Sequence, residues 1–424
     1  MVRSTSQTTA SAAARARRSP ARAGATRGAR TTASARQSTL RTANLALVAR
    51  QVLSSPTPIS RADVAAATGM TRSTASRLVD ELVGTGILVE LDPAPSSGPG
   101  RPAVPLAPPH ATFVALGLEV NVAHMAVRAI DLSGELLTER VVLDDFSDSD
   151  PTVVLRRLAA LVADVLALPT IRAARLVGAG IALPGLVSDG VLLRAPNLGW
   201  SGVRPADHLA SVLDGNRLSL EVGNEASLGA LTVGRSRPVL APQWPSFIYL
   251  SGENGIGAGI VRDGQALAGT NGFAGEIGHV QVDPSGPLCT CGNTGCLERY
   301  AGRRSILTAA GLTEDARPEE LVAAWQAGDV GARQAISAAA HALGVGLGAA
   351  VNLLDIPVVV LGGHLAPLAE VLRPEIEEEL GKRVLASQWT ELEILQAGSD
   401  QMPGATGAAW SLLETVVADP SAWM

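Results

Sequence analysis

Gly275-Glu276-Ile277-Gly278-His279, followed after nine residues by Cys289-Thr290-Cys291-Gly292-Asn293-Thr294-Gly295-Cys296-Leu297-Glu298, decides how this chain is read. It holds all three cysteines of the 424 residues, with a histidine upstream at metal-ligand spacing. Zn²⁺ takes four N/S ligands tetrahedrally, so His279, Cys289, Cys291 and Cys296 read as one structural zinc site, with no position left for a catalytic water. A disulfide fits less well. An odd number of thiols in a Gly-rich hairpin leaves one unpaired, and nothing marks the chain as secreted. The metal then serves to stiffen loops around something else.

The length implies two or three folding units. With 46% hydrophobic and only 3% aromatic residues, the composition is that of an Ala/Leu/Val-rich soluble α/β protein. No apolar run reads as a membrane span and no secretory leader is seen, so the expectation is a cytoplasmic protein without a membrane partner. The net charge of −6 is unevenly spread. Residues 1–101 carry 14 Arg against 5 acidic groups, and the remainder carries a net −15. Such a basic N-terminal part on an acidic body points one end of the chain at a polyanion.

Residues 1–38 are Ala, Ser, Thr, Arg and Gln with no acidic group, a composition expected to remain a disordered basic tail. Residues 39–106 read as a winged helix-turn-helix with its linker. Leu45, Leu47, Val48 and Val52 give one helix an apolar face, and Ser60 with Asp63 is a capping-box variant opening a second. Gly69-Met70-Thr71 makes the turn into a third helix that starts Thr71, Arg72, Ser73, Thr74, Ala75, Ser76, Arg77. An ordinary surface helix carries more Glu and Lys; small polar residues with arginines suit a recognition helix lying in a DNA major groove. Thr71, Arg72, Ser73, Thr74, Ser76 and Arg77 are therefore the candidate DNA contacts. Ile87–Leu91 and Pro102–Leu106 would form the wing, and Arg101 between Gly100 and Pro102 is slim enough to enter an A·T minor groove.

Residues 107–424 read as a two-lobed α/β domain. Strands are expected at Phe113–Val120, Ala123–Ile130 and Leu136–Leu143, then a helix near Thr152–Leu168, and strands at Leu176–Leu183 and Leu218–Val222. A second half opens with Phe247–Leu250 and the turn Ser251–Gly259, followed by the zinc hairpin (residues 279–296), helices over 303–354 and the strand Val358–Leu361. Two glycine-punctuated sheets with helices between them imply a cleft.

These residues resemble the ROK family of bacterial sugar kinases and sugar-responsive repressors, from about Leu40 onward, and the arrangement looks most like its xylose-repressor-type regulators. The resemblance implies a winged helix-turn-helix joined to a kinase-like domain of the actin/RNase H-like superfamily, with a sugar bound between the lobes. The positions matching the family's sugar site are Asn224, Glu225, Glu276, His279 and Glu298, with Asn197 at a further matching position. The chemistry agrees, since carboxylates and an amide suit the vicinal hydroxyls of a pyranose. His279 could hold zinc through one ring nitrogen and face the sugar with the other.

An ATP-dependent sugar kinase is the competing reading. Kinases of the family resemble one another in an Asp-x-Gly-Gly-Thr turn, whereas this chain has Glu119-Val120-Asn121-Val122-Ala123, and Glu225 replaces their catalytic Asp. The expectation is thus a regulator and not an enzyme: a repressor on operator DNA, as a homodimer or dimer of dimers, with a small sugar as effector. A domain that docks a protein instead of a sugar is a third reading, with no positive support in the residues.

Overall fold

The computed structural model describes residues 27–93 and 103–424, with side chains from residue 39 onward. The chain divides into one unit ending at Ala43 and another spanning Asn44–Met424. The N-terminal elements are α1 (Arg27–Leu53), β1 (Ile59–Ser60), α2 (Arg61–Thr68), α3 (Arg72–Gly84), β2 (Val89–Glu90) and β3 (Pro105–Ala107). Helix α1 begins at Arg27, so residues 27–38, expected as part of a disordered tail, are helical. Their Ala, Arg and Gln are good helix formers, and a helix already nucleated extends through them at little cost. Residues 1–26 and Gly98–Pro102, with the candidate Arg101, lie outside the described residues.

Ser60 and Asp63 form the reciprocal capping box at the start of α2, and Gly69 at φ 68° ends that helix in the left-handed region. Thr71 then caps α3 by accepting from the Thr74 N–H at 3.2 Å. The inner face of α3, Ala75, Leu78, Val79 and Leu82, shares one apolar cluster with Leu45, Val48 and Val52 of α1. Strand β3 pairs antiparallel with both β1 and β2, which makes the wing.

The first lobe contains β4 (Phe113–Val120), β5 (His124–Asp131), β6 (Leu136–Leu143), α4 (Pro151–Leu166), α5 (Pro169–Ala173) and β7 (Arg175–Leu183). A small antiparallel sheet of β8 (Leu186–Ser188), β9 (Val191–Ala195) and β10 (Trp200–Val203) follows, then α6 (Pro205–Leu213), β11 (Leu220–Asn224) and α7 (Glu225–Ala230). The second lobe contains β12 (Phe247–Gly252), β13 (Ile256–Arg262), β14 (Gln265–Ala266), α8 (Glu298–Ala301), α9 (Arg303–Ala309), α10 (Pro318–Gln326), α11 (Val330–Leu354), β15 (Val358–Leu361), α12 (Ala369–Arg383) and β16 (Glu393–Gln396). The last long helix is α13 (Pro403–Ala418).

The main sheets are ordered β11-β7-β4-β5-β6 and β14-β13-β12-β15-β16. In each, an antiparallel meander is extended by two parallel strands, so the two lobes repeat one topology. This is the two-lobed actin-like arrangement expected from the sequence. Helix α11 is long and apolar enough to cross a membrane, contrary to the expectation that no run would be. Its apolar character has another source: twelve of its residues are buried in the second lobe's core, packed against α12 and α9.

Helix α13 lies against both β4 and β7 and against α7. Gly117 admits it: a Cβ there would lie 1.9 Å from the Ala405 carbonyl oxygen. Its N-terminal end is fixed by Arg128, which ion-pairs with Glu139 at 2.7 Å and Asp400 at 2.6 Å and donates to Thr406. Its other half, through Leu413 and Val417, belongs to the same apolar cluster as the helix-turn-helix.

Candidate functional site

The outer face of α3 presents Thr71, Arg72, Ser73 and Arg77 to solvent, with Thr74 and Ser76 half-buried beside them. Arg77 ion-pairs with Glu81 one turn on, at 3.0 Å, whereas Arg72 has no ion pair among the described residues. The sequence reading missed Arg61. Its guanidinium donates to the Ser76 carbonyl at 2.9 Å and ion-pairs with Asp80 at 2.7 Å and Glu90 at 2.9 Å. One planar fork thereby ties α2 to α3 and to the wing strand β2.

In the hairpin after β14, the ligand atoms of His279, Cys289, Cys291 and Cys296 all lie within 4.8 Å of one another. Cys291 Sγ is 3.7 Å from Cys296 Sγ, and Cys289 Sγ is 3.8 Å from His279 Nδ1. A tetrahedral Zn²⁺ with ordinary bond lengths sets such edges at about 3.6–3.8 Å, so these donors fit that ion. His279 turns Nδ1 to the thiols and lines the interlobe cleft, which leaves Nε2 for the cleft. Cys289 Sγ also lies 2.8 Å from Glu298 Oε1, so the cluster touches the cleft directly. A second trio, His110, Asp131 and Glu135, is close enough to hold a cation. Its buried Asp131, however, already accepts from the N–H groups of Ala111, Ser133 and Glu135, and so holds a turn.

The cleft between the lobes gathers all six sugar-site candidates, Asn197, Asn224, Glu225, Glu276, His279 and Glu298. Asn224 is only partly available. As N-cap of α7 its Oδ1 accepts from the Ser227 N–H at 3.0 Å, and its Nδ2 donates to the Gly185 carbonyl at 3.0 Å. Glu225 starts α7 and accepts from the Ser251 hydroxyl at 3.3 Å. Burial, with Glu119 and Glu253 close by, raises its carboxyl well above the usual range. Burial likewise raises Glu253 and Glu276. Glu253 escaped the sequence reading because it sits in a glycine-rich run that reads as a backbone feature; an acidic side chain among those glycines was the available signal.

The β4–β5 turn is filled by its own side chains. Asn121 Oδ1 accepts from the N–H groups of Ala123 at 2.9 Å and His124 at 3.0 Å. Buried Glu119 lies 3.2 Å from His124 Nε2 through one oxygen, and through the other accepts from the Ala405 N–H of α13 at 2.6 Å. The glycine run 255–259 is also not an open loop. Ile256–Arg262 is a strand, and Gly257 and Gly259 let α7 pack on it, with Ala226 atoms 3.1 and 2.3 Å from where their Cβ atoms would stand.

The ROK family profile matches residues 115–415. The chain belongs to the ROK family. The IclR helix-turn-helix domain profile matches residues 50–92, which covers α2, α3 and β2. This ROK protein is 27% identical to the xylose repressor of Bacillus subtilis, over 88% of its own length and 95% of that protein. It is 25% identical to the DNA-binding transcriptional dual regulator NagC of Escherichia coli, over 81% of its length and 86% of NagC. A crystal structure of a ROK family transcriptional regulator, homologous to E. coli MLC, superposes with TM-score 0.72 at 26% identity, covering 89% of this chain and 99% of that one. The Streptomyces griseus ROK glucokinase solved with glucose and AMPPNP shares the fold, with TM-score 0.59 at 24% identity over 70% of this chain and 98% of the kinase.

Proposed function

We propose that this ROK protein is a sugar-responsive transcription regulator, a repressor that binds operator DNA through α3 and the wing and changes affinity when a sugar occupies the interlobe cleft. One observation carries the reading: an exposed Thr/Ser/Arg helix face and a cleft collecting Asn197, Asn224, Glu225, Glu276, His279 and Glu298 stand on one continuous chain. The likeness to named repressors supports it, because it runs through the helix-turn-helix as well as the sugar-kinase-like domain. Arg72, Arg77 and the hydroxyls of Thr71, Ser73, Thr74 and Ser76 contact bases and phosphates, with Arg101 in a minor groove. Two such modules on a homodimer read an inverted repeat with half-sites one or two helical turns apart. The protein acts in the cytoplasm.

In the cleft, carboxylates accept from sugar hydroxyls and His279 Nε2 adds one further contact. The zinc ion held by His279, Cys289, Cys291 and Cys296, when bound, cross-links the hairpin that presents Glu276 and Glu298. Those two side chains are thereby held at fixed separation, and ordered binding groups cost less to engage.

The same geometry argues against phosphoryl transfer. The Ala123 and His124 amides that could cradle a phosphate are occupied by Asn121, and Glu119 adds negative charge behind them. The test is fluorescence anisotropy on DNA upstream of the protein's own gene, titrated with pentoses, hexoses and amino sugars. Salt-sensitive binding altered by one sugar supports the reading. Absence of specific binding, together with ATP-dependent phosphorylation of a sugar, overturns it in favour of the kinase.

A further inference from the structure

We infer that Arg237 is the positioning residue through which occupancy of the cleft reaches the DNA-reading module, and that the strained segment carrying it is the moving part. The inference rests on reading the cleft as a sugar site. The six cleft candidates are divided between the lobes: Asn197, Asn224 and Glu225 stand on the first, Glu276, His279 and Glu298 on the second. A sugar gripped from both sides favours one separation of the lobes over another. Each main sheet is hydrogen-bonded throughout, so the movement is absorbed where the chain passes from lobe to lobe, at residues 231–246 and again at 397–402.

The first of these passages touches both lobes and the module. It continues α7 in successive turns, the Thr232 N–H donating to the Gly229 carbonyl and the Arg235 N–H to the Thr232 carbonyl. Arg235 ion-pairs with Glu414 of α13 at 2.9 Å and donates to the Gly264 carbonyl, in the β13–β14 turn, at 3.3 Å. Trp244, near the far end, packs on the second-lobe cluster of Phe247, Val261 and Val358. Between these anchors Arg237 donates to the Ser55 carbonyl, in the link from α1 to β1. Its backbone lies against the β5–β6 turn, where a Cβ on Gly134 would meet Arg237 Cα at 2.9 Å.

Val239, two residues on, packs against the cluster that contains Leu45 and Leu78, and sits at φ 69°. A β-branched residue keeps that left-handed conformation only where its surroundings over-determine it, and such strain collects at switch segments. The Arg237–Ser55 bond and the packing of Val239 supply the hold. Lobe movement lets the segment relax, and relaxation withdraws Arg237 from Ser55. Ser55 lies between α1 and the strand that opens α2 and pairs with the wing. Its release therefore frees the angle between α1 and α2, on which the placing of α3 depends.

The test compares the operator Kd of the full-length protein with and without saturating xylose, glucose, N-acetylglucosamine or glucosamine. In the wild type the responding sugar should change that Kd by about 5–150-fold, the usual range for coupled sites. Arg237→Met keeps the aliphatic stem and removes the donor. It should cut the change to about twofold or less, while calorimetry still records sugar binding and the operator is still bound. Arg237→Lys, which still donates, should retain most of the response; a merely structural arginine would lower the melting temperature of either variant and leave the ratio alone. Val239→Gly takes φ 69° without strain, and should shift the sugar concentration at half response by about threefold or more. A wild-type ratio in folded Arg237→Met, or an unshifted response in Val239→Gly, overturns the inference and leaves the sugar-site reading intact. Wild-type operator binding that no probe alters sinks that reading, and the inference with it.

Discussion

Replacing Gly259 by alanine puts a methyl group 2.3 Å from the Ala226 carbonyl oxygen and 2.5 Å from Ala230 Cβ, both on α7. Real Cβ contacts are essentially never under 3.0 Å, so α7 must retreat by at least about 0.7 Å. Overpacking of this kind costs about 1–3 kcal/mol. The lower chain entropy of alanine returns roughly 0.5–1 kcal/mol. The net loss, centred on about 1 kcal/mol, should lower the melting temperature by roughly 1–4 °C. Because α7 begins at Glu225 and is capped by Asn224, its retreat should also weaken the sugar response. Gly255 is the control within the same run. A Cβ there meets Asn197 Nδ2 at 2.6 Å and Glu298 Oε2 at 3.2 Å, both ends of side chains in the cleft that can swing aside. Gly255→Ala should leave stability within about 0.5 kcal/mol of wild type and reduce sugar affinity. Differential scanning calorimetry and titration of both variants read the two effects. A Gly259→Ala protein that melts at or above wild type would refute the packing role given to this run.

Cys291→Ser should lower zinc content from one ion per chain to near zero by elemental analysis and weaken the sugar response, while operator binding without sugar persists. Arg72→Ala should weaken operator binding and reduce the salt slope by about one; Glu81→Gln, which frees Arg77, should move affinity the other way, both read by anisotropy against salt. Burial pulls the His364 imidazole down to about 4. The unfolded chain therefore binds a proton that the native one refuses as pH falls from about 6.5 towards 4, and stability of about 3 kcal/mol present above 6.5 is lost across that window. His364→Gln should flatten the acid limb of a melting-temperature profile; an unchanged limb would assign the acid sensitivity elsewhere. Arg61→Met should cost about 1–2 kcal/mol, from one hydrogen bond and two partly exposed ion pairs, and lower operator affinity by freeing the wing, as a paired melt and anisotropy titration would register.

The helix-turn-helix and the His/Cys cluster were legible in the sequence because each rests on short-range chemistry. Ser60 and Asp63 cap within one turn, and the four donors that could hold a metal fall within eighteen consecutive residues. Leu136–Leu143 and Val358–Leu361 were bounded as observed, since their apolar pattern and flanking turns are local. Long-range pairing is different. The role of Glu119 depends on Ala405, far along the chain, and that of Asn121 on which amides the β4–β5 turn exposes. Helix α13 and strand β16 were not read at all. The first is apolar on most sides and lacks a clear stripe, and the second is four residues long. Asn224 was read as a ligand-facing amide from its place in a motif, while the fold uses much of that amide to cap α7.

The apolar cluster that unites Leu45 and Leu78 with Leu413 and Val417 joins segments more than three hundred residues apart. Bacterial ribosomes add roughly 5–20 residues per second, so the helix-turn-helix emerges some 15–60 s before the helix that completes its core. During that interval its apolar underside has no permanent cover, and a nascent chain lacks the docked DNA-reading module. Chains truncated by premature termination before α13 are then expected to be cleared by proteolysis before they can compete for operators. Docking of the helix-turn-helix thus waits on a helix made some three hundred residues later.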